Sequence, residues 1–392
     1  MKTICDKERC TGCSACFAAC PKNCITMCAD DEGFFRPQID EMACIDCGKC
    51  RNVCPANVTK REKTVVDAVA LNVLDEELRK SSSSGGAFSI LAEEVLDNGG
   101  AVVGVAFLEN FLTAHHEIIT NKEGLSKLRG SKYFQSEPNG VFLRIKELLE
   151  SGKTVLFSGT PCQVEGLQSF LGRAYDNLIC ADLICHGVPS AAVWQRYLDE
   201  FSDVKEVSFR DKSNGWKNYS LRVRFGKDIY ICKNKENTYS RLFLHDVGLR
   251  PSCYDCSMKS LVCRSDLTLG DLWGAETLAP EMDDDKGTSL VLIHTQKGKD
   301  LLDAVAAKVT MKRVVLENAV RFNAAIAEGV KRPKERNTFF EDLGKMSFEK
   351  LGKKYLRPTA KERLKQVLEK CGLLEPAKKI KGKICNNPSK TR

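Results

Sequence analysis

Eight cysteines near the N-terminus fall in two runs, Cys10, Cys13, Cys16 and Cys20, then Cys44, Cys47, Cys50 and Cys54, and a proline follows each run, Pro21 and Pro55. Thiolates at this spacing bind metal. A loop with two residues between ligands wraps three sulfurs around one iron-sulfur cubane, while the last cysteine, which starts a separate turn, reaches across to a second. Paired C-x2-C segments also make zinc sites. Two copies of the full run, each with its proline, favour iron and sulfide over zinc.

Both runs read C-x2-C-x2-C-x3-C-P and resemble bacterial ferredoxins, in which the fourth cysteine of each run ligates the other run's cluster. The resemblance implies one 4Fe-4S cluster on Cys10, Cys13, Cys16 and Cys54 and another on Cys44, Cys47, Cys50 and Cys20. The first 58 residues then form an electron wire.

Three other places could carry chemistry. Ser81 to Ser84 with Gly85 and Gly86 make a donor-rich loop before a helix, a setting that suits a phosphate but also an ordinary N-cap and turn. Gly159-Thr160-Pro161-Cys162-Gln163 joins a strand to a helix, so Cys162 sits near the positive end of a helix dipole, as nucleophile, as metal ligand or as a small buried residue. Cys253, Cys256 and Cys263 crowd eleven residues and leave a four-ligand site one short. Cys162 is the natural fourth ligand and Cys185 its rival, with zinc an alternative to a third cluster. His186 can protonate a substrate or serve as a hydrogen-bonding residue. Cys5, Cys24, Cys28, Cys180, Cys232, Cys371 and Cys385 lack ligand spacing. The chain has no compact Ser-His-Asp signature, P-loop or GxGxxG.

The elements that must position these residues follow from the apolar pattern. Val65 to Leu71 reads as a strand, Ala87 to Leu96 as a helix stopped by Gly99 and Gly100, and AVVGVAF from Ala101 as a buried strand. Helix and strand patterns then alternate to about Phe201, which predicts crossovers onto a mostly parallel sheet with ligands at the carboxyl ends of its strands. Val204 to Leu244 turns β-rich, a cysteine-bearing insert follows, and strands LTLGDLWG, SLVLIHT and VTMKRVV close the body. The expected fold is a multidomain α+β and α/β chain. It comprises a ferredoxin-like domain over 1–58, a linker over 59–64, an α/β body over 65–330 and a helical basic tail over 331–392.

Composition narrows the class. Eleven of the 20 cysteines precede residue 55. No apolar run is long enough for a membrane span or a secretory signal, so reduced thiols in the cytoplasm are the expected setting. The net charge of +8 is not spread along the chain: residues 350 to 392 hold 14 Lys or Arg against three Glu, which leaves −3 for the rest. That excess reads as a solvated tail or a contact for an acidic partner, and nucleic acid is not an expected partner.

The motifs SSSSGGAF, GSKYFQS, VLFSGTPCQVEGL, DLICHGVPS, FRDKSNGW, LRPSCYDCSMK, RSDLTLGDLWG and DDDKGTSLVLI occur in this order, and together they resemble the family of coenzyme F420 hydrogenase/dehydrogenase beta subunits over about residues 65–330. The resemblance implies FAD beside a 4Fe-4S cluster, with coenzyme F420 or another hydride carrier as substrate and a redox protein as partner. It places flavin contacts at Ser84, Gly85, Gly86, Ser131, Lys132, Tyr133, Gln135, Thr160 and Gln163. It places a third cluster on Cys162, Cys253, Cys256 and Cys263, and Arg264 and Asp266 near it. Lys132 and His186 are the expected catalytic groups, Lys132 as a fixed cation near the flavin ring. A flavin is also what the chemistry asks for, because a hydride brings two electrons and each cluster takes one. The alternative is a subunit that relays electrons without a substrate of its own.

Overall fold

The computed structural model describes residues 2–57, 62–137 and 139–356. Residues 59–61 of the expected linker, the LKQVLEKCGLL and KKIKGK segments of the tail, Cys371 and Cys385 lie outside the described residues.

The N-terminal domain is built on its cysteine loops and one antiparallel hairpin, β1 (Ile25–Ala29) and β2 (Phe35–Ile39). The hairpin turn enters the body. Gly33 there has φ 80°, and a Cβ on it would come within 2.5 Å of Ala192 Cβ, so only glycine satisfies both the turn and the close approach. Phe34 next to it is fully buried against Phe340.

The body's strands are β3 (Asp67–Val73), β4 (Ala101–Phe107), β5 (Ala114–Ile119), β6 (Val155–Gly159), β7 (Leu178–Leu183), β8 (Val204–Asp211), β9 (Ser220–Phe225), β10 (Asp228–Lys233), β11 (Leu267–Asp271), β12 (Ser289–Ile293) and β13 (Val309–Arg313). Its main helices are α1 (Ala87–Asp97), α2 (Val141–Glu150), α3 (Pro161–Leu171), α4 (Ala191–Leu198), α5 (Arg336–Leu343) and α6 (Phe348–Tyr355).

Eight strands form one sheet in the order β13-β3-β12-β11-β7-β6-β4-β5. The pairs β4/β6, β6/β7 and β7/β11 are parallel, while β4/β5, β11/β12, β3/β12 and β3/β13 are antiparallel. The sheet is therefore mixed, and this corrects the mostly parallel sheet expected from the alternation of elements. Apolar runs such as ALNV in β3 and SLVLI in β12 announce burial on both faces but carry no sign of strand direction.

A second layer sits beside this sheet. The meander β8-β9-β10 packs with α4, α5 and α6 around Trp194, Tyr197, Phe209, Tyr239, Phe339 and Phe348, all buried. This apolar cluster takes in Leu351 and Leu356.

Among the described residues, no helix is long and apolar enough to cross a membrane.

Candidate redox centres

Three groups of cysteines emerge. Cys10, Cys13, Cys16 and Cys54 line one cavity. Cys20, Cys44, Cys47 and Cys50 line another. The structure thus brings Cys20 to the second run's loop and Cys54 to the first run's loop, the crossed arrangement. Ser14 and Gly48 adopt left-handed conformations, φ 65° and 71°, each opening a single helical turn that carries one cysteine of its run, Cys16 or Cys50. Among the described residues, no three His, Cys, Asp or Glu side chains converge as a single-ion site does. The sulfurs border a space instead of meeting at a point.

The third group forms at the carboxyl ends of two adjacent parallel strands. Gly159 at the end of β6 pairs with Asp182 in β7, so the residues that follow, Cys162 on α3 and Cys185 after β7, leave the sheet side by side. Pro161 opens α3, and Thr160 with Gln163 forms a capping box over its first turn, which fixes Cys162 in place. Cys162 has Cys185 and Cys256 as charged neighbours, and Cys185 in turn has Cys253 and Cys256. Burial pushes these thiols up, Cys253 to about 11 and Cys185 to about 12, with Cys162 raised as well. Burial thus adds to the cost of a bare thiolate at Cys162.

Cys263 lines the same cavity as Cys185. It pairs with Lys63 in a two-residue ladder, and its charged neighbours are Asp182, Lys63 and Glu165 rather than the other cysteines. The fourth member beside Cys162, Cys253 and Cys256 is thus drawn from Cys185 and Cys263. Asp266 is anchored by Lys63 at 2.9 Å and by the Cys180 amide at 2.8 Å, and Arg264 donates to Ser169 at 3.1 Å.

The third group touches the first. Gly166, one turn along α3 from Cys162, has no room for a side chain: a Cβ there would lie 2.8 Å from both Cβ and Sγ of Cys13. Arg250, fully buried, ties the same junction. Its Nε donates to the Cys10 carbonyl at 2.7 Å, and its Nη2 donates to the Phe35 carbonyl at 2.9 Å and lies 3.6 Å from Cys10 Sγ. Three residues on, the Cys253 amide donates to the Arg250 carbonyl at 2.9 Å. Cys10 is held down to about 5, first by its hydrogen bond with Cys5 and, against the cost of burial, by the Arg250 charge.

The expected flavin contacts divide. Ser131 donates from its amide and hydroxyl to Ser83 Oγ at 2.9 and 3.1 Å, joining the two loops. Ser84 Oγ donates to the Thr288 carbonyl at 2.9 Å. Gly85 packs so tightly that a Cβ would sit 2.2 Å from the Leu71 carbonyl oxygen, and Gly86 has φ 96°. Lys132, half-buried, donates to the carbonyls of Lys127, Leu128 and Arg129, and burial pushes it down to about 7. Tyr133 stacks on Phe243 at 5.2 Å, and His186 meets that ring in a T-shaped contact at 5.1 Å while bonding Asp246 at 2.7 Å.

Gln135 is buried at the junction, accepting from Arg250 and from the Phe35 amide at 3.1 Å. Thr160 and Gln163 spend their side chains on the helix cap and on Ser136. Lys212 was missed although it lies in the FRDKSNGW motif. It donates to the carbonyls of Arg79, Ser84 and Lys286 beside the serine loop and is pushed down to about 7 by burial and then by Arg210 and Arg79.

Comparison with known proteins agrees with this layout. Residues 68–143 match the N-terminal model and residues 152–317 the C-terminal model of the coenzyme F420 hydrogenase/dehydrogenase beta subunit, and residues 9–58 match a 4Fe-4S dicluster domain. An uncharacterised protein of Methanocaldococcus jannaschii is 24% identical, over 75% of this chain and 86% of its own length. A subunit of the F420H2 dehydrogenase of Methanosarcina mazei is 21% identical, over 76% of this chain and 82% of that protein. The coenzyme F420-dependent sulfite reductase of M. jannaschii is 22% identical, over 94% of this chain but only 60% of that longer protein. A chain of the xenon-derivatised F420-reducing NiFe hydrogenase complex from Methanosarcina barkeri superposes with a TM-score of 0.47 at 17% identity, covering 72% of this chain and 95% of that one. With both halves of the body matched and a dicluster domain ahead of them, the chain belongs to the family of coenzyme F420 hydrogenase/dehydrogenase beta subunits and carries a 4Fe-4S electron-transfer domain at its N-terminus.

Proposed function

We propose that the chain is an iron-sulfur flavoprotein oxidoreductase. It would move electrons between a hydride carrier, F420-type or another, and a ferredoxin-like partner or bound organic substrate. In this reading Cys162, Cys185, Cys253 and Cys256 hold a third 4Fe-4S cluster, and the wire runs from it to the cluster on Cys10, Cys13, Cys16 and Cys54 and then to the one on Cys20, Cys44, Cys47 and Cys50. The observation that carries it is the contact of Gly166 with Cys13, which leaves the third group and the first nothing wider than one helix turn between them. The spaces bordered by the two N-terminal quartets suit cubanes, whose ligand sulfurs stand apart, better than zinc, which draws four sulfurs to one point.

FAD, when bound, takes a hydride as an electron pair and releases the electrons singly. The residues that would hold it are those of the joined loops, Ser83, Ser84 and Ser131, with Lys132 and Lys212 as cations set against the pyrophosphate or the reduced ring. Each lysine gives its three N–H donors to carbonyls, so it would meet an anion by charge or by releasing one of those carbonyls.

Anaerobic reconstitution with iron, sulfide and FAD tests this directly, with about twelve irons and one flavin per chain expected. Bleaching of the flavin by reduced deazaflavin, a nicotinamide donor or reduced ferredoxin then identifies the electron source. Eight irons without flavin would remove the third cluster and the hydride step. A second reading has a specific observation behind it: one relative is named as a subunit of a dehydrogenase. A relay subunit would load its clusters and bleach with no small-molecule donor.

A further inference from the structure

The two N-terminal quartets face in different directions. The first is turned into the molecule: Cys10, Cys16 and Cys54 are buried, and Arg250 and Gly166 of the body press against Cys10 and Cys13. The second is turned outward, and Cys47 is the one exposed cysteine among the described residues. An electron that has crossed the proposed wire therefore reaches the protein surface at Cys47.

The loop that carries Cys47 also carries two apolar side chains in water, Met42 at 97% and Ile45 at 59% exposure. Exposed apolar residues scattered singly carry no message, but these two share one loop with the exposed ligand. Asp40 fixes that loop by accepting from the Met42 and Ala43 amides at 3.0 and 3.4 Å. Charge surrounds them unevenly. Lys2, Lys22 and Arg51 line the quartet's cavity, and Asp46 is the one acid that does so. Lys2 lies 3.9 Å from Asp46, which leaves Lys22 and Arg51, both exposed, to set the sign of the rim. Of the neighbouring acids, Asp40 is turned to its own loop and Glu41 accepts from the Lys2 amide at 3.3 Å. An apolar centre inside a basic rim fits a partner whose own rim is acidic.

We propose that this face, with Met42 and Ile45 beside Cys47 and with Lys22 and Arg51 at its rim, is the docking surface for a small one-electron carrier protein of acidic surface. One electron leaves the cluster on the second quartet, which is oxidised by one, and enters the carrier's centre, which is reduced by one. No bond forms or breaks, and transfer in the reverse direction uses the same contact. A patch of this size suits a brief encounter, since redox partners meet over less than about 1,200 Å² and must separate again. The inference rests on the reading that the second quartet holds a cluster, and it adds the place and the chemistry of the partner.

The test uses the full chain reconstituted anaerobically, as wild type, Met42→Asp, Lys22→Glu and Ile229→Asp, the last replacing a side chain on β10 that is 57% exposed. The probe is an acidic bacterial ferredoxin with two 4Fe-4S clusters. The readouts are iron per chain, the Kd for the ferredoxin and the association rate at low and high salt. Iron is expected to equal that of the wild type in all three variants. Met42→Asp should weaken ferredoxin binding by about tenfold or more. Lys22→Glu should slow association and flatten its salt dependence, and Ile229→Asp should change neither. Wild-type affinity in Met42→Asp would overturn the proposal, and so would a wild-type chain with full iron that does not bind the ferredoxin. Self-association of the wild-type chain that Met42→Asp abolishes would also overturn it, because a second copy would then cover this face. A wild-type chain that takes up no iron would remove the cluster reading itself, and this inference with it.

Discussion

Arg250 of the body donates from Nε to the main-chain oxygen of Cys10 at 2.7 Å, which joins the two halves of the proposed wire by a buried cation. The same guanidinium holds Phe35 and Gln135, and Arg250 is only 1% exposed. Replacing it by alanine leaves several buried acceptors without a donor, at about 1–3 kcal/mol each. Arg250→Ala is expected to release the N-terminal domain from the body. Limited proteolysis should then cut the variant faster than wild type, and denaturant unfolding should begin at lower concentration.

Gly166 makes a sharper prediction about the electron path. Any side chain at this position meets Cys13 at 2.8 Å, so α3 and the first cysteine loop must separate. Gly166→Leu should keep full iron yet slow transfer between the third cluster and the first. Freeze-quench EPR after mixing with reductant reads this directly: in the variant one set of clusters reduces promptly and the other lags. Simultaneous reduction would show that electrons do not cross at this contact.

Iron counts separate the two candidate ligand sets of the third group. Cys185 neighbours Cys253 and Cys256, whereas Cys263 faces Asp182 and Lys63. Cys185→Ser should lose about four of about twelve irons, and Cys263→Ser should lose none. The opposite pattern would restore Cys263 to the site.

How much of this the sequence made legible depended on whether the information was local. The two cysteine runs specify their own loops, since the spacing of Cys10, Cys13 and Cys16 already fixes which sulfurs share a space. The helix opened by Pro161 was visible from its capping residues for the same reason. Cys185 and Cys263 were not separable, because their ranking depends on β7 lying parallel to β6 across the intervening chain, a pairing with no local signature. Gln135 and Arg250 were invisible as junction residues for a related reason: each bonds a partner about 100 residues away or more. Lys212 was in plain view within its motif, but its depressed basicity comes from burial together with Arg210 and Arg79, and nothing in a linear sequence puts Arg79 beside it.

The last prediction concerns acid stability. His116 is 5% exposed, its ring stacks on Phe157 at 5.3 Å, and its Nε2 has no partner. Burial, and then the charge of His115, push it down to about 4. An unfolded histidine titrates near 6.5, so between about pH 6.5 and 4 the unfolded chain binds a proton that the folded chain refuses. The stability linked to this ring is therefore complete above that window and is lost as pH falls through it, by about 2 kcal/mol at pH 5. His116→Phe keeps the stack on Phe157 and has no proton to take up. Denaturant titrations of both proteins at pH 7.5 and pH 5 should show a larger loss of stability on acidification in the wild type than in the variant. An equal loss in both would mean that the acid sensitivity of the fold lies elsewhere.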